Sequence, residues 1–253
     1  MRAELFVTCL GDTLFPDVGI HTVTLLERLG VEVSFDPRAT CCGQMHMNTG
    51  YADAARSLAT TFVETYRGSS ADAIVVPSGS CAATIRHHFA RLGVGDTADL
   101  GLPPVYELSE FLVDALDVTD VGAVFPHRVT YHPTCHSLRL LGVGDRPYRL
   151  LRSVEGLELI DLPDSEQCCG FGGTFALKNA DTSTAMCIDK VERVRRTGAE
   201  VLVAGDSSCL MHIGGMLTKT GAPVRVLHLA EVLASTEFRP VPAYAGRPAW
   251  ERA

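Results

Sequence analysis

The cysteines of this sequence fall into two similar sets. The tripeptide CCG occurs at residues 41–43 and again at residues 168–170, and a lone cysteine lies on either side of each. The two sets are Cys9, Cys41, Cys42 and Cys81, then Cys135, Cys168, Cys169 and Cys209. Four thiolates are a ligand set that iron–sulfur clusters and structural zinc ions use. For a chain expected in a reducing compartment, metal or redox chemistry is favoured over disulfides.

The spacing of the two sets indicates a tandem duplication. The second set follows the first by 126, 127, 127 and 128 residues. The sequences around corresponding cysteines are also similar, as ADAIVVPSGSCAATI and AEVLVAGDSSCLMHI show. We therefore predict two domains, residues 1–120 and 121–253. Cys187 has no counterpart in the first half, and we interpret it as a small buried core residue.

Each half alternates short apolar runs with amphipathic helical stretches. Strands are predicted over residues 5–8, 31–35 and 73–76, and over 128–132, 157–162 and 201–204. Helices are predicted over residues 16–30, 55–66, 146–154 and 180–196, and from Cys81 onward. The alternation predicts an α/β fold with two tandem pseudo-twofold-related domains, each a small parallel sheet flanked by helices.

The predicted elements bring the cysteines of each half together. The cysteines follow strands or precede helices, and ligands of parallel α/β sheets gather at the carboxyl ends of the strands. Helix N-termini at that edge lower thiol pKa values. Since 31 residues separate Cys9 from Cys41, the spacing favours an iron–sulfur cluster over the compact knuckles of structural zinc, which stays the alternative. The glycine of CCG allows the sharp turn that would let adjacent cysteines reach different irons.

Three histidines accompany the cysteines of the second half. His132 and His136 flank Cys135, and His212 follows Cys209 by three residues. They are candidates for proton transfer or for hydrogen bonds that tune a cluster, and they predict that the second site is the more functional one. Arg139 and Lys178 are candidates for binding a substrate carboxylate.

The composition excludes several other classes. A formal charge of −8 and a pI near 5.6 give no basic surface for nucleic acid. The N-terminus lacks the apolar run of a signal peptide and no stretch reaches the length of a membrane span, so a cytoplasmic protein is expected. No GxGxxG follows the first predicted strand, which argues against a dinucleotide-binding dehydrogenase.

The whole pattern resembles the cysteine-rich CCG-domain family of iron–sulfur proteins. The segments YHPTCH, EQCCGFGGTFALKN and AGDSSCLMHIGG are most similar to its lactate utilisation protein A group. The resemblance implies one iron–sulfur cluster per repeat, of the 4Fe–4S type, held by the four cysteines of that repeat's set. It also implies a role in oxidising L-lactate to pyruvate with two partners, a ferredoxin-like iron–sulfur protein and a third subunit, similar to lactate utilisation proteins B and C.

One departure from that family concerns a fifth cysteine. Members with noncubane clusters end each motif in CxxC, whereas Ser78 and Asp206 stand at those positions here. A four-cysteine cubane is therefore expected, with the two oxygen-bearing residues as helix N-caps. The sequence predicts an electron-transfer subunit of a lactate-oxidising complex. The alternatives are a zinc-stabilised assembly module and a subunit of an oxidoreductase like heterodisulfide reductase or glycolate oxidase.

Overall fold

Two four-stranded parallel sheets form the framework of the protein, and the computed structural model describes them within residues 1–242. The first sheet contains β1 (Arg2–Leu5), β2 (Glu32–Ser34), β3 (Ala73–Val76) and β4 (Val105–Glu107), in the order β2-β1-β3-β4. The second contains β5 (Arg128–His132), β6 (Glu158–Ile160), β7 (Val201–Ala204) and β8 (Arg225–His228), in the order β6-β5-β7-β8. The identical order reflects the duplication and confirms the predicted fold class.

Helices flank both sheets. Those of the first repeat are α1 (Cys9–Leu14), α2 (Pro16–Arg28), α3 (Gln44–Thr49), α4 (Ala52–Tyr66), α5 (Gly79–His88) and α6 (Leu108–Glu110). Those of the second repeat are α7 (Arg146–Arg152), α8 (Phe175–Lys178), α9 (Ala180–Thr197), α10 (Ser207–Lys219) and α11 (Leu229–Ala234). Short π-helical turns cover Phe111–Ala115 and Ser137–Leu141, and a 3-10 turn covers Thr97–Asp99. Across residues 1–242, every helix is too short or too polar to cross a membrane.

The start of the first strand differs from the sequence prediction. We expected a strand over residues 5–8, and the ladder instead covers Arg2–Leu5, where Ala3 pairs with Val33 and Ala73. The chain leaves the sheet after Leu5 because the side chain of Thr8 accepts a hydrogen bond from the Gly11 N–H and caps α1. The prediction for β5 over residues 128–132 was correct.

The hydrophobic core is shared between the two repeats. One cluster combines Leu25 and Phe111 of the first repeat with Val129 and Leu233 of the second. The last helix of each repeat packs on the first long helix of the other, α11 on α2 and α6 on α7. The division at residue 120 therefore stays a prediction about sequence units, and its last segment, residues 243–253, lies outside the described residues.

Candidate metal centre

The four cysteines of the first repeat meet at the carboxyl edge of its sheet. Cys9 is the first residue of α1, and Cys81 lies in the first turn of α5. The Sγ atoms of Cys41 and Cys9 are 3.6 Å apart, and those of Cys42 and Cys81 are 3.2 Å apart. The cavity beside these sulfur atoms is also lined by Phe171 of the second repeat. The first site therefore lies where the repeats meet.

The glycine of each CCG turn is required by the backbone. Gly43 has φ of 81° and Gly170 has φ of 90°, both in the left-handed region that favours glycine. A Cβ on Gly43 would lie 3.1 Å from the carbonyl oxygen of Ala55, and one on Gly170 only 2.7 Å from that of Ser183. The N–H of each glycine donates to the first sulfur of its own turn, at 3.4 and 3.3 Å. The turn thus places two adjacent sulfurs and a backbone donor in one site.

The second repeat brings its four cysteines together in the same way. Cys135 begins a helical turn directly after β5, and Cys209 lies in the first turn of α10. The thiol of Cys168 lies close enough to those of Cys135 and Cys169, and Cys169 close enough to Cys209, for each to shift the pKa of the other. All nine cysteines are free thiols. Thus each predicted set of four forms one group.

One thiol in each site is the preferred anion. Hydrogen bonds from Cys42 and Cys9 lower the pKa of Cys41 to about 2. Cys168 occupies the same position in the second site. The interaction with Cys135 is the largest cause that lowers its pKa to about 2. The thiols of Cys9 and Cys135 have raised pKa values because they hydrogen-bond to these sulfurs and are partly buried. A metal cation would hold all four thiols deprotonated, so this donor set fits a metal centre.

His132 is the histidine that lies among the sulfurs of the second site. One of its ring nitrogens and the Sγ atoms of Cys169 and Cys209 all lie within 4.8 Å of one another. The side chain is 1% exposed, and neither ring nitrogen has a hydrogen-bond partner in residues 1–242. Burial, followed by the charge of Lys190, lowers its pKa to about 3, which makes it a neutral imidazole. An unpaired buried polar group costs about 1–3 kcal/mol.

The other two histidines have partners elsewhere. His136 Nδ1 lies 3.6 Å from Cys135 Sγ, and its Nε2 accepts a hydrogen bond from the side-chain amide nitrogen of Gln44 at 3.2 Å. His212 Nε2 lies 3.3 Å from Ser183 Oγ. Burial lowers the pKa of both rings. Their predicted catalytic role stays a prediction, and of these two histidines only His136 lies beside a cysteine sulfur.

The two cations predicted to bind a carboxylate are held by other groups. Arg139 Nη2 donates to the carbonyl oxygen of Glu166 at 3.0 Å. Lys178 Nζ lies 5.8 Å from the centre of the Tyr51 ring, within the range of a cation–π contact. The guanidinium of Arg139 and the ammonium of Lys178 thus each contact another group of the protein at the surface.

Ser78 and Asp206 are helix N-caps, as predicted. Ser78 Oγ accepts from the Cys81 N–H at 3.3 Å, and Asp206 Oδ1 accepts from Ser208. The sequence did not reveal that these two equivalent residues also meet. Asp206 Oδ2 accepts from the Ser80 N–H at 2.9 Å and from Ser78 Oγ at 3.4 Å. One buried carboxylate therefore joins the starts of α5 and α10, the helices that carry the last cysteine of each site.

Lys190 is a further residue at the second site that sequence reasoning missed. Its side chain is 1% exposed, and its Nζ donates to the carbonyl oxygens of Asp164 and Ser165, just before the CCG turn. Burial, followed by the charge of Arg193, lowers its pKa to about 8. The signal was present, because Lys190 lies between buried positions of α9. A charged residue on the apolar stripe of a helix indicates a buried partner.

The fold and the two sites define a duplicated α/β protein with a four-thiol group at the carboxyl edge of each sheet. The chain belongs to the cysteine-rich domain family, CCG, whose profile matches residues 3–86 and 129–214. It is 48% identical over 237 residues to Lactate utilization protein A of Exiguobacterium sp., covering 92% of this chain and 96% of that protein. It is 45% identical over 239 residues to Lactate utilization protein A of Oceanobacillus iheyensis, with the same coverage. The resemblance stated from the motifs is thereby confirmed.

Solved structures resemble the chain only weakly. A glutamate racemase of Bacillus anthracis has a TM-score of 0.34 and 13% sequence identity, covering 92% of this chain and 78% of that one. This likeness is too low to carry information on function.

Proposed function

We propose that the chain is an iron–sulfur electron-transfer subunit of a complex that oxidises L-lactate to pyruvate. The observation that carries the proposal is the pair of matching four-thiol groups, Cys9, Cys41, Cys42 and Cys81, and Cys135, Cys168, Cys169 and Cys209. The relatives named Lactate utilization protein A support a role in the use of lactate. A 4Fe–4S cluster bound in each group would take up and release one electron at a time.

The residues around the sulfurs suit such a centre. The N–H groups of Gly43 and Gly170 donate to cysteine sulfurs, and hydrogen bonds to sulfur are one of the means by which proteins set a cluster potential. Cys81 and Cys209 lie in first helical turns, where the positive end of the helix dipole favours an anionic group. The buried sulfurs and the apolar side chains around them would restrict water.

Zinc is the second candidate for the same donors. A tetrahedral zinc ion with Zn–S bonds of about 2.3 Å separates its sulfur ligands by roughly 3.8 Å. The Sγ–Sγ distance of 3.6 Å between Cys41 and Cys9 is near that value. A zinc-bearing chain would act as an assembly module of the complex and would carry no electrons.

Metal analysis separates these two candidates. The full chain is purified without oxygen, and iron, acid-labile sulfide and zinc are measured per protein. We expect brown protein with equal iron and sulfide and broad charge-transfer absorption. Colourless protein with stoichiometric zinc would overturn the electron-transfer proposal in favour of the assembly module.

The proposed partners rest on the family resemblance of the sequence motifs. We propose that the chain works with a ferredoxin-like iron–sulfur protein and a third subunit, and that it acts in the cytoplasm. The test is a reconstitution of the three purified proteins, with lactate as electron donor and an artificial acceptor dye as readout. Lactate-dependent dye reduction by the other two proteins at an unchanged rate without this chain would contradict the proposal.

The two sites are predicted to be unequal in that assay. The histidines and Lys190 lie at the second site, so Cys168→Ser should abolish lactate-dependent electron transfer more completely than its first-repeat counterpart Cys41→Ser. Both variants remove the sulfur that accepts the glycine N–H, which makes them a matched pair. Equal losses would instead place both centres in one serial electron path.

A further inference from the structure

The second site differs from the first at the buried residue three positions before the lone cysteine. His132 lies three residues before the lone cysteine Cys135, and the residue three before Cys9 is Phe6. Phe6 is fully buried and packs edge-to-face on Phe62, with ring centres 5.1 Å apart. The first site therefore has a hydrocarbon ring where the second has an imidazole.

A second pair of corresponding buried residues also differs between the two repeats. The carbonyl groups of Ala55 and Ser183 face the two CCG glycines, and the residues seven positions later on those helices are Phe62 and Lys190. The aromatic pair Phe6 and Phe62 of the first repeat thus corresponds to His132 and Lys190 in the second. Since two nitrogen-bearing side chains replace two hydrocarbon rings in the same buried place, packing alone does not account for them.

The position of the imidazole explains why a nitrogen-bearing side chain is buried at residue 132. One ring nitrogen of His132 and the sulfurs of Cys169 and Cys209 lie within 4.8 Å of one another, and both ring nitrogens lack a hydrogen-bond partner in residues 1–242. Metal–sulfur bonds of about 2.3 Å and metal–nitrogen bonds of about 2.0 Å bring such donors to roughly 3.5 Å from each other. A small contraction would therefore bring the imidazole nitrogen into bonding distance of a metal atom held by one of these two thiolates.

We propose that His132 is a metal ligand of the second site, bound through a ring nitrogen next to the thiolates of Cys169 and Cys209. The two repeats then hold chemically different centres, one with thiolate ligands only and one with an imidazole among its ligands. The inference rests on the proposed function in that the metal is iron.

The test reads the nitrogen directly by pulsed electron paramagnetic resonance. The full chain is reconstituted with iron and sulfide, reduced with dithionite, and measured with natural and with 15N-labelled histidine. We expect a strong coupling from a directly bound imidazole nitrogen that changes to the 15N pattern on labelling. His132→Phe, which installs the side chain of Phe6, should abolish that coupling and leave the signal of the first site unchanged.

Two matched controls exchange the other histidines for their first-repeat counterparts. His136→Leu copies Leu10, and His212→Thr copies Thr84. Both should keep the coupling. A coupling that survives in His132→Phe, or disappears only in His136→Leu, would overturn the assignment. If His132→Phe does not fold, as judged by circular dichroism, retention of the labelled signal in both controls upholds His132 as the remaining histidine at the site.

The outcomes for the ligand and for the iron proposal are distinct. Iron-loaded wild-type protein without a bound-nitrogen coupling overturns the ligand assignment and leaves the iron proposal standing. Protein that takes up zinc and no iron overturns the iron proposal. In that case X-ray absorption at the zinc edge decides the ligand, because a zinc–nitrogen shell that His132→Phe lacks upholds it and an all-sulfur shell overturns it. Protein that binds neither metal overturns both.

Discussion

Single residues determine the shape of each CCG turn. A single buried carboxyl group between the repeats also makes stability depend on pH. The CCG glycines have positive φ angles and approach the backbone of α4 and α9. Glu107 shows the second effect, because it is 2% exposed and lies close to the backbone of Gly205 of the other repeat. At this scale both features predict measurable changes in the free energy of unfolding.

Alanine at the two CCG glycines should destabilise the protein to different extents. A left-handed backbone costs a residue with a Cβ about 1–2 kcal/mol, and a backbone clash adds about 1–3 kcal/mol. Because the Cβ contact is shorter at Gly170, we expect a loss of about 3 kcal/mol for Gly170→Ala and about 2 kcal/mol for Gly43→Ala, measured by urea unfolding. Gly215→Ala in α10, where no atom lies within 4 Å, is the control and should be neutral or stabilising. Equal effects at all three glycines would contradict the turn geometry.

Glu107 predicts a dependence of stability on pH. Burial, opposed by the hydrogen bond from Ser109 and assisted by the charge of Glu110, raises its pKa from 4.5 to about 7. The folded protein then holds a proton that the unfolded chain releases above pH 4.5, so Glu107 makes stability fall as pH rises from about 4.5 to 7. Glu107→Gln should flatten the pH dependence in that window, by up to a few kcal/mol. The readout is the urea midpoint at several pH values, and an unchanged slope would argue against a protonated Glu107.

Helix starts are the elements that join the two sites. The N-terminus of α5 is capped by Ser78 and that of α10 by Asp206. Because Asp206 also accepts from the Ser80 N–H, it holds the start of a helix in the other repeat. The family's fifth-cysteine positions are thus occupied here by a hydrogen-bonded contact between the repeats.

Removing the shared cap should cost more than removing a single one. Asp206→Ala leaves donors on two helices without a partner, so we expect a loss of about 2–3 kcal/mol, compared with about 1 kcal/mol for Ser78→Ala. Asp206→Asn keeps one acceptor oxygen and should lose less. Urea unfolding measures stability, and iron analysis should show nearly unchanged metal in all three variants. Loss of iron from folded Asp206→Ala would instead make the carboxylate a metal ligand.

The two repeats are held together because helices of each repeat pack on helices of the other. The cluster that contains Phe111 also contains Leu229 and Leu233, and α11 packs on α2. Gly79 lies so close to the second repeat that a Cβ there would be 1.7 Å from Ser137 Oγ. Each repeat therefore completes the apolar core of the other.

The shared core predicts how the chain behaves when it is divided. Residues 1–120 produced alone should be poorly soluble, because the apolar side of α2 loses α11 and the exposed face is large. Residues 1–120 and 121–253 produced together should assemble into a soluble pair, as judged by co-purification through a tag on one half. A soluble, cooperatively unfolding first half would show that the predicted domains are independent units.

The sequence by itself determined the duplication, the α/β class and the two sets of four cysteines. It could do so because the cysteine offsets, the apolar runs and the helix caps are local patterns that each repeat carries twice. The first strand was misplaced by three residues because an apolar run does not show where the pairing of strands ends. Helix caps at Ser78 and Asp206 were predictable for the same local reason.

Only the tertiary structure decided what lies between the repeats. The hydrogen bonds of Asp206 to the other repeat, the packing of α6 and α11 on helices of the other repeat, and the carbonyl partners of Lys190 involve residues far apart in the sequence. His132 had stood with two other histidines as an equal candidate, and the fold alone placed it near the sulfurs of Cys169 and Cys209. The physical reason is that local patterns specify elements, whereas close packing of two repeats specifies which polar groups lose water and must find partners inside.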